Sequence, residues 1–320
     1  MSLSFNKIAI AAGLFASAGL LVAPSAKAFS VTLTNQGFEN VTGSSPNSWN
    51  TIGDATTIGT IDGINPTNAI RQAIITTGYI DGSYSGIARK DDGGSNFNVS
   101  GTNPVSADTN ISTLQNDLGI NANAFSIPRN PATLNGVDLN AVYGERTSKE
   151  GSGLYQDFTV NLAEGESGFT VSFDWAYLTN DGLHPTYGEQ DFAFWTLGEV
   201  NNGNFTSAFD NSEIDVLRSS EGPINNPLPT AGSGAYDYSR GYDYGLNARQ
   251  TFSVEGLAPG EYTYRLGYGV VDVDGLESTS ALLLDDIAIE EVPFEFTPTA
   301  GIVLVLGAFG LNKLRKNRQS

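Results

Sequence analysis

The sequence has no cysteine and a single histidine, His184, in 320 residues. The missing thiols exclude disulfide staples, cysteine nucleophiles and cysteine-ligated zinc. With one imidazole, a Ser-His-Asp triad has to use His184. That residue sits in Asn180-Asp181-Gly182-Leu183-His184-Pro185, which reads as a turn, and no Gly-x-Ser-x-Gly elbow appears. Basic residues are also scarce: 16 Lys and Arg stand against 35 Asp and Glu. Only Glu295 of the acids lies outside residues 29–292, whereas six bases do, so this 264-residue body carries a net charge of −24. Such a field repels nucleic acid and anionic membrane, so no nucleic-acid partner is expected. It suits solubility and divalent cations. Long amphipathic helical periodicity is missing as well.

Apolar runs occur at the two ends. Lys7, then Ile8 to Val22, then Ala26-Lys27-Ala28 have the three parts of a secretory signal peptide, with the mature N-terminus expected at Phe29. A buried helix or a retained membrane anchor is the alternative. At the other end, Pro293-Phe294-Glu295-Phe296-Thr297-Pro298 precedes an apolar stretch, Ala300 to Leu311, and the basic residues Lys313, Arg315, Lys316 and Arg318. As a helix, the stretch is about 18 Å long against a hydrocarbon core of roughly 30 Å. The basic end favours the cytoplasmic side.

This C-terminal pattern resembles the cyanobacterial form of the PEP-CTERM sorting signal. The resemblance covers residues 293–318, with Pro293, Phe294, Glu295, Phe296 and Pro298 as its motif. It implies an exosortase partner, a transient hold in the inner membrane, and delivery to the cell surface or exopolysaccharide. A plain membrane anchor is the alternative.

Within the body, alternation of period two recurs. Leu154, Phe158, Val160 and Leu162 share a side, as do Phe169, Val171, Phe173 and Trp175. Further strands are expected at Phe29–Leu33, 191–197, 250–254, 260–271 and 281–290. Residues 53–150 read as loops and short strands, with one short helix over 111–118. Residues 219–234 read as a long loop. The expected fold is all-β: a jelly-roll sandwich over 29–292 with long loop insertions, an N-terminal signal helix and a short C-terminal apolar helix.

Gly37-Phe38-Glu39 near the start and Leu282-Leu283-Leu284-Asp285-Asp286-Ile287-Ala288-Ile289 near the end resemble galactose-binding-like jelly rolls and carbohydrate-binding modules. The resemblance implies a structural Ca²⁺ shared between these edges, although Gln36 stands where Gly is usual. Leu283, Asp285, Ile287 and Ile289 share one face of the last strand. That places the Asp285 carboxylate where burial is costly without a partner. A hard cation with oxygen ligands relieves that cost. Glu39 and Asp285 are the expected ligands, with Asp286 beside them. A hydrogen-bonded or solvated Asp285 is the alternative.

Three other features are candidates for chemistry. Tyr236, Tyr238, Tyr242 and Tyr244 form a Tyr-Asp-Tyr repeat whose rings can stack on sugars, with Asp237 and Asp243 accepting from hydroxyls. Packing of these rings on the sandwich edge is the alternative. Asp181, Glu189 and Asp191 can serve as paired carboxylates for glycoside hydrolysis. Asp272-Val273-Asp274-Gly275 fits a hairpin turn. The sequence favours a non-enzymatic surface or matrix protein associated with exopolysaccharide. A secreted carbohydrate-active hydrolase and a structural coat protein without a ligand are the alternatives.

Overall fold

The structure is a computed structural model. It describes residues 28–78, 98–108, 111–121, 124–125, 133–134, 137–138, 148–179, 191–210, 212–219, 244–273 and 279–292. The signal segment up to Lys27, the sorting tail from Pro293, Asp181, His184, Glu189, Tyr236, Asp237, Tyr238, Tyr242, Asp243 and Asp274 lie outside these residues. Among the described residues, no helix is long and apolar enough to cross a membrane.

Eight strands carry the architecture: β1 (Ala55–Ile58), β2 (Gln72–Thr76), β3 (Ser148–Leu162), β4 (Gly168–Thr179), β5 (Phe192–Asn201), β6 (Tyr244–Glu255), β7 (Gly260–Val273) and β8 (Ser280–Glu291). One sheet is centred on β5-β7-β3 and the other has the order β6-β4-β8-β2-β1. Taken in order, β3 to β8 alternate between the two sheets, and the pairings among these long strands are antiparallel. This is the jelly-roll sandwich the alternating segments predict.

The alternation decides which side chains fill the sandwich. Phe169, Val171, Phe173, Trp175 and Tyr177 of β4 face Leu154, Phe158, Trp195, Tyr264, Leu266 and Tyr268 of the opposite sheet. Burying each large apolar side chain is worth about 1.5–3 kcal/mol. Rings meet edge to face, as Phe173 does with Trp195 (5.1 Å) and Tyr268 (4.9 Å).

Each sheet is also covered on its outer side. The helix α1 (Thr113–Leu118) lays Leu114 and Leu118 on the first sheet with Phe192, Phe194 and Val271. It is shorter than the sequence suggests, because Ile111–Ser112 is a strand. The helix sits close because β3 carries glycine beneath it: a Cβ on Gly151 would lie 2.7 Å from Leu114 Cδ2 and 2.7 Å from the Val270 oxygen. On the second sheet, Ile74, Ala176, Leu178, Ala281 and Leu283 are covered by Ile61, Ile64 and Val99.

The pairing of β4 with β8 corrects the face assignment for the last strand. Ser172 stands opposite Ala288 and Asp174 opposite Asp285, so two residues of β8 face one of β4. The extra residue is Asp286, whose φ is +47°. This β-bulge reverses the alternation. Leu283 belongs to the outer cluster, while Ile287 and Ile289 belong to the inner core. Leu283, Asp285, Ile287 and Ile289 therefore do not share a face.

Candidate functional site

The site lies on the outer face of the second sheet. There the segment 59–71 folds back over β8 and β2, with a bridge between Ile61 and Ile64. Two carboxylates hold this segment. Asp285 Oδ2 accepts from the Asn68 N–H (2.7 Å) and the Thr67 hydroxyl (3.2 Å). Glu39 Oε1 accepts from the N–H groups of Ile70 (2.8 Å) and Arg71 (2.7 Å). Ala69 between them adopts φ +57°, and Ile70 is left 72% exposed at the tip.

The two edges named from sequence do meet. The Ile287 N–H donates to the Gln36 oxygen (3.2 Å), and a Cβ on Gly37 would lie 3.7 Å from Asp285 Oδ1. Phe38, fully buried with φ +57°, anchors this turn against Trp49 at 5.3 Å. Asn35 locks the turn from outside, donating to the oxygens of Asn40 and Asn47 and accepting from the Asn40 N–H.

Protein donors meet the carboxylates that the sequence resemblance assigns to Ca²⁺. Asp285 Oδ1 accepts from the Asp286 N–H (2.8 Å), and Asp286 Oδ2 is paired with Arg249 (2.8 Å). Among the described residues, no group of three or more carboxylate or imidazole side chains lies close enough to hold a metal ion. Glu39, Asp285 and Asp286 thus meet protein donors first. Burial pushes the Asp285 carboxyl above its ordinary pKa, and the Asn68, Asp286 and Thr67 hydrogen bonds oppose that rise.

Arg249, on the edge strand β6, organises the rest of this face. Its Nη1 donates to Asp174 Oδ1 (2.9 Å) and to Asp286 Oδ2, and its Nη2 donates to the Ser172 hydroxyl (2.9 Å). The pairings with Asp174 and Asp286 raise the guanidinium pKa.

Between segment 64–67 and β6 lies a cleft of about 170 Å³. Its polar lining is Asn65, Thr67, Gln72, Asp174, Asn247 and Asp285; Ala176 and Leu283 contribute apolar surface. Much of its hydrogen-bonding capacity is unspent among the described residues. Asp174 uses only Oδ1, and Gln72 uses Nε2 on the oxygens of Gly59 and Ile64. Asn65 Oδ1 accepts from Thr60, and Asn247 is exposed.

Sequence reasoning singled out Asp285, as a calcium ligand, and did not point to Asn65, Gln72, Asp174 or Asn247. The one signal for Asp174 was its outward position in Phe169-Thr170-Val171-Ser172-Phe173-Asp174-Trp175. Of the tyrosine repeat, only Tyr244 is described, at the start of β6, three residues before Asn247. Of the proposed paired carboxylates, only Asp191 is described. It is buried, its backbone oxygen accepts from the Tyr177 hydroxyl (3.1 Å), and it borders the β5–β7 ladder near Asp272. Asp272 in turn stands opposite Glu150, also buried.

No protein-family model matches the sequence, and no curated protein matches it. Solved structures with some likeness include a carbohydrate-binding module in complex with beta-1,4-galactotriose. It is 11% identical, with TM-score 0.33, covering 81% of this chain and 97% of that one. A second is the K2 cleaved adhesin domain of Lys-gingipain, 14% identical, with TM-score 0.31, covering 83% and 98%. A third is the enzymatically active domain of tailspike protein 4 of bacteriophage CBA120, 10% identical, with TM-score 0.30, covering 81% and 21%. Likenesses this distant bear no weight for function; the sandwich rests on its own strand pairing.

Proposed function

We propose that the chain is an exported, non-catalytic β-sandwich that associates with exopolysaccharide at the cell surface or in the extracellular matrix. The observation that carries this reading is the cleft on the second sheet. It offers carboxamides and carboxylates above an Ala176–Leu283 floor, the mixture that fits hydroxyls on one side of a sugar and C–H groups on the other. The Tyr-Asp-Tyr repeat leads directly into β6, which forms one wall.

Delivery belongs to the same proposal. The tripartite segments at residues 1–28 and 293–320 support export and exosortase sorting, with a transient membrane hold through the apolar tail. Calcium is its finer structural part. Asp285 is buried and Gln36 and Gly37 lie against its strand, so a bound cation would be ligated by Asp285, with Glu39 and Asp286 beside it and backbone oxygens of that turn completing the shell. Its contribution is to join the first turn to the last strand.

A glycan array probed with the purified full-length chain tests the reading. Binding to a restricted set of glycans is expected. A silent array supports the ligand-free coat protein instead.

A further inference from the structure

We propose that the cleft seats one uncharged or amino-bearing sugar ring and rejects uronate and sulfated rings. This rests on the polysaccharide reading and narrows it to a ligand class.

Size is the first argument. A cleft of about 170 Å³ is below the roughly 300 Å³ at which pockets for larger ligands begin. It accommodates a single ring projecting from a chain rather than several consecutive rings.

The second argument is hydrogen-bonding capacity. Among the described residues, Asp174 Oδ2 and Gln72 Oε1 are unspent acceptors, Asn65 Nδ2 is an unspent donor, and Asn247 offers both. Hydroxyl groups both donate and accept, and match such a mixed set. The set is held in place before any ligand arrives. Gln72 is fixed by the Gly59 and Ile64 oxygens, Asn65 by Thr60, and Thr67 by Asp285.

Charge decides between sugar classes. Asp174 and Asp285 line the cleft, and Asp286 lies just behind. Arg249 is bonded to Asp174 and Asp286 but not to Asp285, and with Ser172 these partners already take up its guanidinium. It cannot turn to an anionic ligand without abandoning those partners. A carboxylate or sulfate entering the cleft therefore meets uncompensated like charge. An ammonium group meets the opposite sign.

Calorimetric titration of the full-length chain with a methyl hexoside, glucosamine and glucuronate tests the inference. The hexoside and glucosamine should bind, and glucuronate should bind at least about tenfold more weakly. Asp174→Asn should narrow that gap by raising glucuronate affinity. Asn247→Trp, at an exposed edge-strand position, should abolish binding of every ring. Glucuronate binding as tightly as the hexoside overturns the proposal. So does hexoside binding that Asn247→Trp leaves unchanged. If no single ring binds while the glycan array is positive, the one-ring site is overturned and polysaccharide association stands. If both experiments are silent, both fall.

Discussion

Asp174 and Asp285 stand directly opposite each other on neighbouring strands, on the outer face of the second sheet. Like charges in that position destabilise a ladder. Each carboxylate is balanced differently. Asp174 takes a guanidinium from the edge strand, and Asp285 takes an N–H and a hydroxyl from the segment folded over it. The pair thus ties three parts of the chain together, and its net negative sign defines the cleft beside it.

Removing the guanidinium exposes that repulsion. Arg249→Gln should lower stability by up to about 1 kcal/mol, since the side chain is 43% exposed and water screens it. The loss should shrink when Asp174→Asn is added, and shrink again in high salt. Equal losses in both backgrounds, measured by urea unfolding, mean that Arg249 does not act through Asp174.

Calcium should stabilise the join between the first turn and β8. Adding it to EDTA-stripped protein should raise the melting temperature, with a stability gain of about 2.7 kcal/mol at a hundredfold excess over Kd. Asp285→Asn should lose most of that response. A melting temperature indifferent to calcium contradicts the cation site and leaves Asp285 as an acceptor for Thr67, Asn68 and the Asp286 N–H in the cleft wall.

A second buried carboxylate sets a pH dependence. Asp54 is fully buried and accepts from the N–H groups of Val99 (3.0 Å) and Ser100 (2.7 Å) and from the Thr76 hydroxyl. Burial raises its pKa above 3.8 despite these donors. The folded state then holds this proton more tightly than the unfolded state. Its stabilising contribution is complete below about pH 3.9 and is lost as pH rises through the folded pKa. Urea unfolding from pH 4 to 7 should show wild type losing ground to Asp54→Asn with rising pH. The opposite slope contradicts the assignment.

Asp191 separates binding from catalysis. Reducing-end-labelled glycans should remain intact with the wild-type chain, and Asp191→Asn should behave identically. Hydrolysis by the wild type that falls in the variant establishes the hydrolase reading.

The long strands were legible in the sequence because one face of each is core: Phe169, Val171, Phe173 and Trp175 alternate with Thr170, Ser172 and Asp174. Strands β1 and β2 were not, because almost all of their residues are buried on both faces and no alternation survives. The bulge at Asp286 left no glycine as a marker; an aspartate takes the positive φ. The approach of Gln36 and Gly37 to Ile287 and Asp285 was legible from two short edge patterns, whereas the bonding of Glu39 to Ile70 and Arg71 was not. The cleft was not, because Asn65, Asp174, Asn247 and Asp285 come from four distant stretches and only the folded sheet assembles them.

Affinity electrophoresis of the full-length chain through gels containing neutral polysaccharide, beside the Asn247→Trp variant, tests the central claim most directly. Wild type should be retarded in at least one polysaccharide, and the variant should migrate as in an empty gel. Unretarded wild type, or a variant retarded equally, contradicts polysaccharide association through this cleft.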